Sequence, residues 1–228
     1  MKRLLAVGDL HGNFTRFASL WRKIAFDPAE DVLVFLGDYI DRCHGVRKCL
    51  EFVMELDASY ENVICLRGNH EQLMLDYHRG VDDHDMWMMN GGDITDAELR
   101  AWEREETGAY RRVLDFAERC RLFHRVEVGR ETYIFCHAGL DPRLPFAEQT
   151  DRELLWIRNE FYSNYTGRET VVVGHTPVPY LIKGRTTPIF LKNNIILVDT
   201  GSYLREGRIS CVDVLTKEYW QSDDAPSR

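Results

Sequence analysis

The sequence predicts an α/β fold in which helices flank one sheet or two stacked sheets, and three observations carry that prediction. Seven short apolar runs read as strands. Several are apolar at consecutive rather than alternate positions, which suits strands covered on both faces. Helical periodicity lies between the early runs, so β–α alternation fills the first 75 residues, and mostly strands follow residue 165.

The first strand is expected in RLLAV (3–7). Asn13 then offers a helix start, with Phe14, Phe17, Ala18, Trp21 and Ile24 on one face. DVLVFL (31–36) is the second strand, and Val46, Cys49, Leu50, Val53 and Leu56 repeat the helical pattern after it. NVICL (62–66) is the third. The stretch 96–122, with Leu114, Ala117 and Cys120 in phase, is expected to be helical and acidic on its outer side. TYIFC (132–136), TVVVG (170–174), NIILV (194–198) and ISCVDVL (209–215) complete the strands. The reading gives one domain over 1–221, a lid-like insertion at about 80–112 and a flexible tail, SDDAPSR, at 222–228.

Composition narrows the function. The chain has 228 residues, 44% hydrophobic and 29% charged, ordinary for a soluble globular protein. No apolar run is long enough to span a bilayer. The opening MKRLLAV has only four apolar residues before Gly8 and Asp9, so no targeting segment is expected. A net charge of −8 argues against nucleic-acid and membrane-surface partners, which select basic faces. The six cysteines form no CxxC pair, and Cys65 and Cys136 fall in apolar runs, which suits a reducing cytoplasm. The sequence does not fix an oligomeric state.

The chemistry lies where the strands end. GDLHG (8–12), GDYIDR (37–42) and RGNHE (67–71) follow the first three strands, and CHAG (136–139) and GHT (174–176) follow two later ones. Ligand sites of open α/β sheets form at the carboxyl ends of strands, so five such loops would converge. Any one alone is explained by an ordinary turn or a hydrogen-bonded histidine. Five in order are not. Asp9, His11, Asp38, Asn69, His137 and His175 then form two overlapping sets of nitrogen and oxygen ligands without a thiolate. Such a set suits manganese, iron or zinc. Asp38 is the candidate bridge between two ions. Arg42 and Arg67 offer guanidinium forks that match phosphate oxygens. His44, His78, His84 and His124 lie outside the motifs and read as structural.

GDLHG, GDYIDR, LRGNHE, HAG and GHT together resemble, in order, the signature blocks of the phosphoprotein phosphatase family within the metallophosphoesterases. DTGSY (199–203) is also similar to the family. NGG (90–92) and LLWIR (154–158) resemble the small bacterial and bacteriophage serine/threonine phosphatases, which act on phosphoserine, phosphothreonine and often phosphotyrosine. The resemblance implies a calcineurin-like fold: two mixed sheets sandwiched between helices in four α/β/β/α layers, with a dinuclear centre at one edge. It implies that Asp9, His11 and Asp38 hold one divalent ion, most simply Mn2+, while Asp38, Asn69, His137 and His175 hold the other. His70 would be the general acid, oriented by Asp41, with Arg42, Arg67 and Arg158 clamping the phosphoryl oxygens. A metal-bridging hydroxide would attack phosphorus in line.

One position departs from the resemblance. The family usually has Gly after the Arg of GDYIDR, and here it is Cys43, expected to cost about 1 kcal/mol if the loop needs a left-handed residue. Gly45, two residues on, offers to absorb the turn, so the replacement reads first as a tolerated one; the sharper alternative is a thiol beside a cationic site, open to oxidation. Trp87, Met86, Met88 and Met89 are expected either to rim the cleft as an exposed lid or to pack as a small core under the loop. The expected substrate is a phosphorylated protein or peptide. A hydrolase of dinucleoside polyphosphates shares the metal motifs, but that branch shows GNHD and GHW where this chain has GNHE and GHT. A silent metal-binding scaffold would be expected to lack an acid, ligand or clamp, and His70, Asp41, Arg42 and Arg67 are all present.

Overall fold

Three β–α units open the chain: β1 (Leu4–Val7), α1 (Phe14–Ile24), β2 (Val32–Phe35), α2 (Val46–Ser59), β3 (Val63–Cys65) and α3 (Asn69–His78). This is a computed structural model, and it describes residues 1–81 and 85–223. A π-turn at Met88–Gly92 leads into α4 (Asp93–Glu105) and α5 (Ala109–Arg119). Then come β4 (Phe123–Val128), β5 (Glu131–Cys136), α6 (Asp151–Trp156), α7 (Asn159–Asn164), β6 (Thr170–Val173) and α8 (Val178–Leu181). The chain closes with β7 (Ile189–Phe190), β8 (Ile195–Leu197), β9 (Ser210–Asp213) and β10 (Tyr219–Gln221).

Two mixed sheets result, ordered β10-β9-β1-β2-β3 and β4-β5-β6-β8-β7. Alternate side chains explain why both faces of each sheet are dry. Leu5, Val7, Leu33 and Phe35 point into one core with Phe17, Leu20, Leu50 and Val53 of α1 and α2. Leu4, Ala6, Val34 and Leu36 meet Phe135, Val172 and Ile196 between the sheets. Ile134, Val171, Val173 and Ile195 face Leu154, Phe161 and Val178 of α6, α7 and α8. Three cores make four layers, α/β/β/α, as expected. Each such large side chain contributes about 1.5–3 kcal/mol by leaving water.

All seven expected strands are present, and Asn13 caps α1 by accepting from the Arg16 N–H. β4, β7 and β10 were not expected, and the reason is positional. Each lies at the edge of its sheet, where no unbroken apolar run is needed. The expected helix at 96–122 is two helices, broken where Gly108 takes φ +88°. Of the expected tail, Ser222 and Asp223 are held: the Ser222 N–H donates to Ile209 at 2.9 Å and Asp223 pairs with Lys23 at 2.6 Å. Residues 224–228 and His84 lie outside the described residues. No helix among the described residues is long and apolar enough to cross a membrane.

Candidate active site

Because β1, β2 and β3 run parallel, and β5, β6 and β8 run parallel in the second sheet, the loops after them reach the site from both sheets. Backbone bonds lock the loops together. The His11 N–H donates to the Asp38 carbonyl at 2.9 Å, and the Gly174 N–H donates to the His137 carbonyl at 2.9 Å. The buried Glu71 carboxylate accepts from the N–H groups of Asp38, Tyr39 and Gly68 at 2.8, 2.8 and 2.9 Å. Gly68 has no alternative here, since a Cβ would sit 2.0 Å from Asp38 Oδ1. His11, Asp38, Asp41, Arg42 and His175 all hold left-handed φ angles between 45° and 70°. Non-glycine residues keep such backbone only where the surroundings over-determine it, and this clustering marks the functional centre.

The six expected ligands come together. Asp9, Asp38 and His137 place donor atoms within 4.8 Å of one another, and His11 does so with Asp38. Two histidines show what the cluster accommodates. His11 Nδ1 lies 3.0 Å from the Ile40 carbonyl and His137 Nδ1 lies 2.7 Å from the Leu36 carbonyl. A carbonyl only accepts, so Nδ1 carries the proton and each Nε2 presents a lone pair. The His11 lone pair faces Asp38 Oδ2 at 3.4 Å and Asp9 Oδ2 at 4.0 Å. That of His137 faces Asn69 Oδ1 at 2.8 Å and Asp38 Oδ1 at 3.4 Å. Asn69 Oδ1 is also 2.8 Å from His175 Nδ1. Lone pairs converging on oxygens in a dry site call for cations between them, and the residues fit divalent ions.

Electrostatics agree. Burial and the neighbouring Asp199 raise the Asp9 carboxyl well above the usual range. Burial lowers the His11 imidazole to about 3 and holds His175 well below its ordinary value, leaving both neutral and able to ligate. Burial works to lower His137 too, yet the Asp38 and Asp9 carboxylates push it up to about 9, so without ions Nε2 holds a proton, and a bound cation would take that proton's place on the lone pair.

His70 is placed differently. Its Nδ1 lies 2.6 Å from Asp41 Oδ2 and its Nε2 lies 3.1 Å from Arg42 Nη2. Its Nε2 also lies 3.9 Å from Asp38 Oδ2, and its donor atom falls within 4.8 Å of those of His11 and Asp38, so His70 stands at the edge of the ligand cluster. The Arg42 guanidinium stacks over Tyr203 at 4.5 Å. Arg158 donates to Thr176 Oγ1 at 2.7 Å. Arg42, Arg158, His70, Asn90, Trp156 and Tyr180 line a cleft of about 340 Å³ over the ligands.

One expectation is corrected, and two alternatives left open are decided. Arg67 does not reach the cleft. Its Nε and Nη2 donate to the Ala117 and Glu118 carbonyls at 3.0 and 2.6 Å, and Nη1 donates to Gln72, so it clasps the end of α5 instead. For Trp87 the packed reading holds over the exposed lid. It is fully buried in the first core, and its Nε1 donates to both Asp41 oxygens at 3.1 and 3.2 Å. Met86 and Met89 are exposed and Met88 is half-buried. Cys43 carries neither the left-handed strain nor the activated thiol weighed for it, and Gly45 takes part of the turn as expected. Left-handed backbone falls at Asp41, Arg42 and Gly45 instead. Burial pushes its thiol up, against Arg16 and Arg42. His44, His78 and His124 stay outside the cleft, His78 meeting Tyr110 Oη at 2.8 Å.

Sequence reasoning left Glu71, Thr95 and Tyr203 without roles and did not pair Trp87 with Asp41, although each stands in or beside a quoted motif. The signal for Glu71 was its place in RGNHE. The signal for Trp87 and Thr95 was NGG, whose glycines allow close approach.

Histidines, carboxylates, Asn69 and two arginines gathered at the strand ends fit a metal-dependent phosphoesterase. The family model for calcineurin-like phosphoesterases matches residues 2–202, and the chain belongs to that family of hydrolases. Over 183 residues it is 30% identical to serine/threonine-protein phosphatase 1 of Salmonella typhimurium, covering 78% of this chain and 80% of that protein. It is 24% identical over 222 residues to the asymmetrical bis(5'-nucleosyl)-tetraphosphatase PrpE of Bacillus cereus, covering 86% and 84%. A solved structure provisionally assigned as a diadenosine tetraphosphatase matches with a TM-score of 0.73 at 20% identity, over 99% of this chain and 95% of that one.

Proposed function

We propose that the protein is a phosphomonoesterase for phosphorylated serine, threonine or tyrosine side chains of proteins or peptides, loaded with two divalent ions, Mn2+ above iron or zinc. Asp9, His11 and Asp38 would hold one ion, and Asp38, Asn69, His137 and His175 the other. Bound there, the ions supply Lewis acidity that polarises phosphoryl oxygens and acidifies water.

The observation that carries this reading is the His70–Asp41 pair at 2.6 Å, facing the cleft beside Arg42. A seryl alkoxide is a strongly basic leaving group and gains about 10²–10⁴-fold from a positioned acid. The nucleotide released from a dinucleoside polyphosphate is a weak base and needs little such help. In the resting chain His70 Nε2 accepts from Arg42. A phosphoryl group that draws the Arg42 fork onto its oxygens frees that nitrogen to take up a proton from solvent, and the imidazolium then passes its Nε2 proton to the leaving oxygen while Nδ1–H stays on Asp41. Arg158, at the cleft rim, is the second clamp.

The relative in Salmonella typhimurium supports the protein-phosphatase side, and the one in Bacillus cereus is named for a nucleotide substrate. Six cysteines without a disulfide suit the cytoplasm. Phosphate release from metal-stripped protein, with and without Mn2+, on phosphoserine, phosphothreonine and phosphotyrosine peptides beside diadenosine tetraphosphate tests the reading. Metal-restored release from peptides is expected. Cleavage of the dinucleotide with idle peptides would overturn it.

A further inference from the structure

Between α3 and α4, residues 85–92 place Asn90 in the lining of the cleft. Trp87 of the same stretch reaches the His70–Asp41 pair from the side opposite the cleft, through Asp41. Asp41 is fully buried and sits on left-handed backbone with φ +70°, so local preference does not hold its carboxylate. Its neighbours do. The Asp41 N–H donates to Thr95 Oγ1 at 2.9 Å, and that hydroxyl's only proton goes back to Asp41 Oδ1 at 2.6 Å. The Trp87 indole N–H, a donor only, straddles both oxygens at 3.1 and 3.2 Å. Oδ2 then faces His70 Nδ1 at 2.6 Å. Every donor meeting the carboxylate points one way, and rotating it would strand Trp87 or Thr95, both fully buried.

NGG makes the approach possible. A Cβ on Gly92 would lie 2.7 Å from the Trp87 ring, and one on Gly91 would lie 2.8 Å from the Arg42 nitrogen. Gly91 also has φ +100°. The two glycines let this segment press the indole onto Asp41 and its own backbone onto Arg42.

Building on the phosphomonoesterase reading, we propose that Trp87 and Thr95 are positioning residues for proton delivery, fixing Asp41 so that His70 keeps its Nδ1–H on Asp41 and turns Nε2, once it has taken up a proton, to the leaving oxygen. Neither touches substrate; both act through Asp41. In that role they are needed only when the leaving group needs a proton.

The test compares a phosphoserine peptide with 4-nitrophenyl phosphate, whose leaving group departs without an acid, in the metal-loaded full chain. Trp87→Phe and the near-isosteric Thr95→Val are expected to lower kcat on the peptide about tenfold, part of what general-acid catalysis supplies. They should change kcat on the nitrophenyl ester less than twofold, and Thr95→Ser should restore the peptide rate. Equal losses on both substrates, or none on either, overturn the proposal. Imidazole ¹⁵N shifts of His70 give a readout that does not depend on turnover. One Nδ1–H tautomer in the parent and a mixture in Trp87→Phe and Thr95→Val are expected; unchanged tautomers overturn the proposal. A parent chain silent on both esters overturns the functional reading instead, and the ¹⁵N comparison still decides the positioning.

Discussion

Glu71→Gln is the most informative single change, because Glu71 ties the two ligand loops together without touching the cleft. Its carboxylate is 1% exposed and takes three backbone N–H bonds, from Asp38 and Gly68 on Oε2 and from Tyr39 on Oε1. An amide keeps one acceptor. In its better orientation the oxygen holds Asp38 and Gly68, and the new NH2 opposes the Tyr39 N–H. That leaves one buried donor unsatisfied, at about 1–3 kcal/mol, and strips charge assistance from the other two bonds. A total of about 2–4 kcal/mol follows, a large share of the roughly 5–15 kcal/mol that holds a domain folded. With a urea m-value of about 1–3 kcal/mol/M, the midpoint of the metal-free protein should fall by about 1 M or more. Because the Asp38 backbone moves with this anchor, Mn2+ affinity should fall about 10–100-fold, as for lost outer-shell partners generally. An unchanged midpoint together with unchanged affinity would refute the reasoning.

Arg42→Ala should cost about 10²-fold or more in kcat/KM, the scale of a lost transition-state donor, whereas Arg67→Met should lower thermal stability and leave kcat within a factor of two. Equal kinetic losses would return Arg67 to the cleft. Asp31 accepts from Arg3 Nε at 3.0 Å and from the Asp27 N–H at 2.9 Å. Burial works to raise its carboxyl, but these partners outweigh it and hold it below the ordinary value. A depressed folded pKa contributes stability above the unfolded value, near 3.9, that is lost as pH falls through the folded one. Asp31→Asn should therefore lower stability at neutral pH and flatten the acid limb of an unfolding profile; a parallel acid limb counts against it. Cys43→Gly should not stabilise the chain, since position 43 is not left-handed, and urea unfolding should show a loss of about 0.5–1 kcal/mol.

What the sequence disclosed and withheld follows the physics of each position. Central strands announced themselves because both faces are dry, as in Val171–Val173, while edge strands such as Phe123–Val128 alternate half-buried and exposed residues. The ligands were legible because metal chemistry restricts residue type and strand ends restrict place. Asp41 and His70 were legible from GDYIDR and GNHE, but what holds Asp41 comes from Trp87 and Thr95, whose contacts depend on how the 86–95 segment folds back. Nothing in the local pattern MWMMNGG distinguishes a buried indole from a solvent-facing rim. Arg67 misled because an arginine beside a ligand motif looks like a clamp until its carbonyl partners on α5 are seen.

The central claim is a phosphomonoesterase that needs two ions sharing Asp38. Titrating the metal-free protein with Mn2+ while following phosphate release from a phosphoserine peptide tests it most directly. Release that appears with the second equivalent, and disappears in Asp38→Asn, is the predicted result. Full activity at one equivalent, or a chain with two ions bound that leaves the peptide intact, would contradict it.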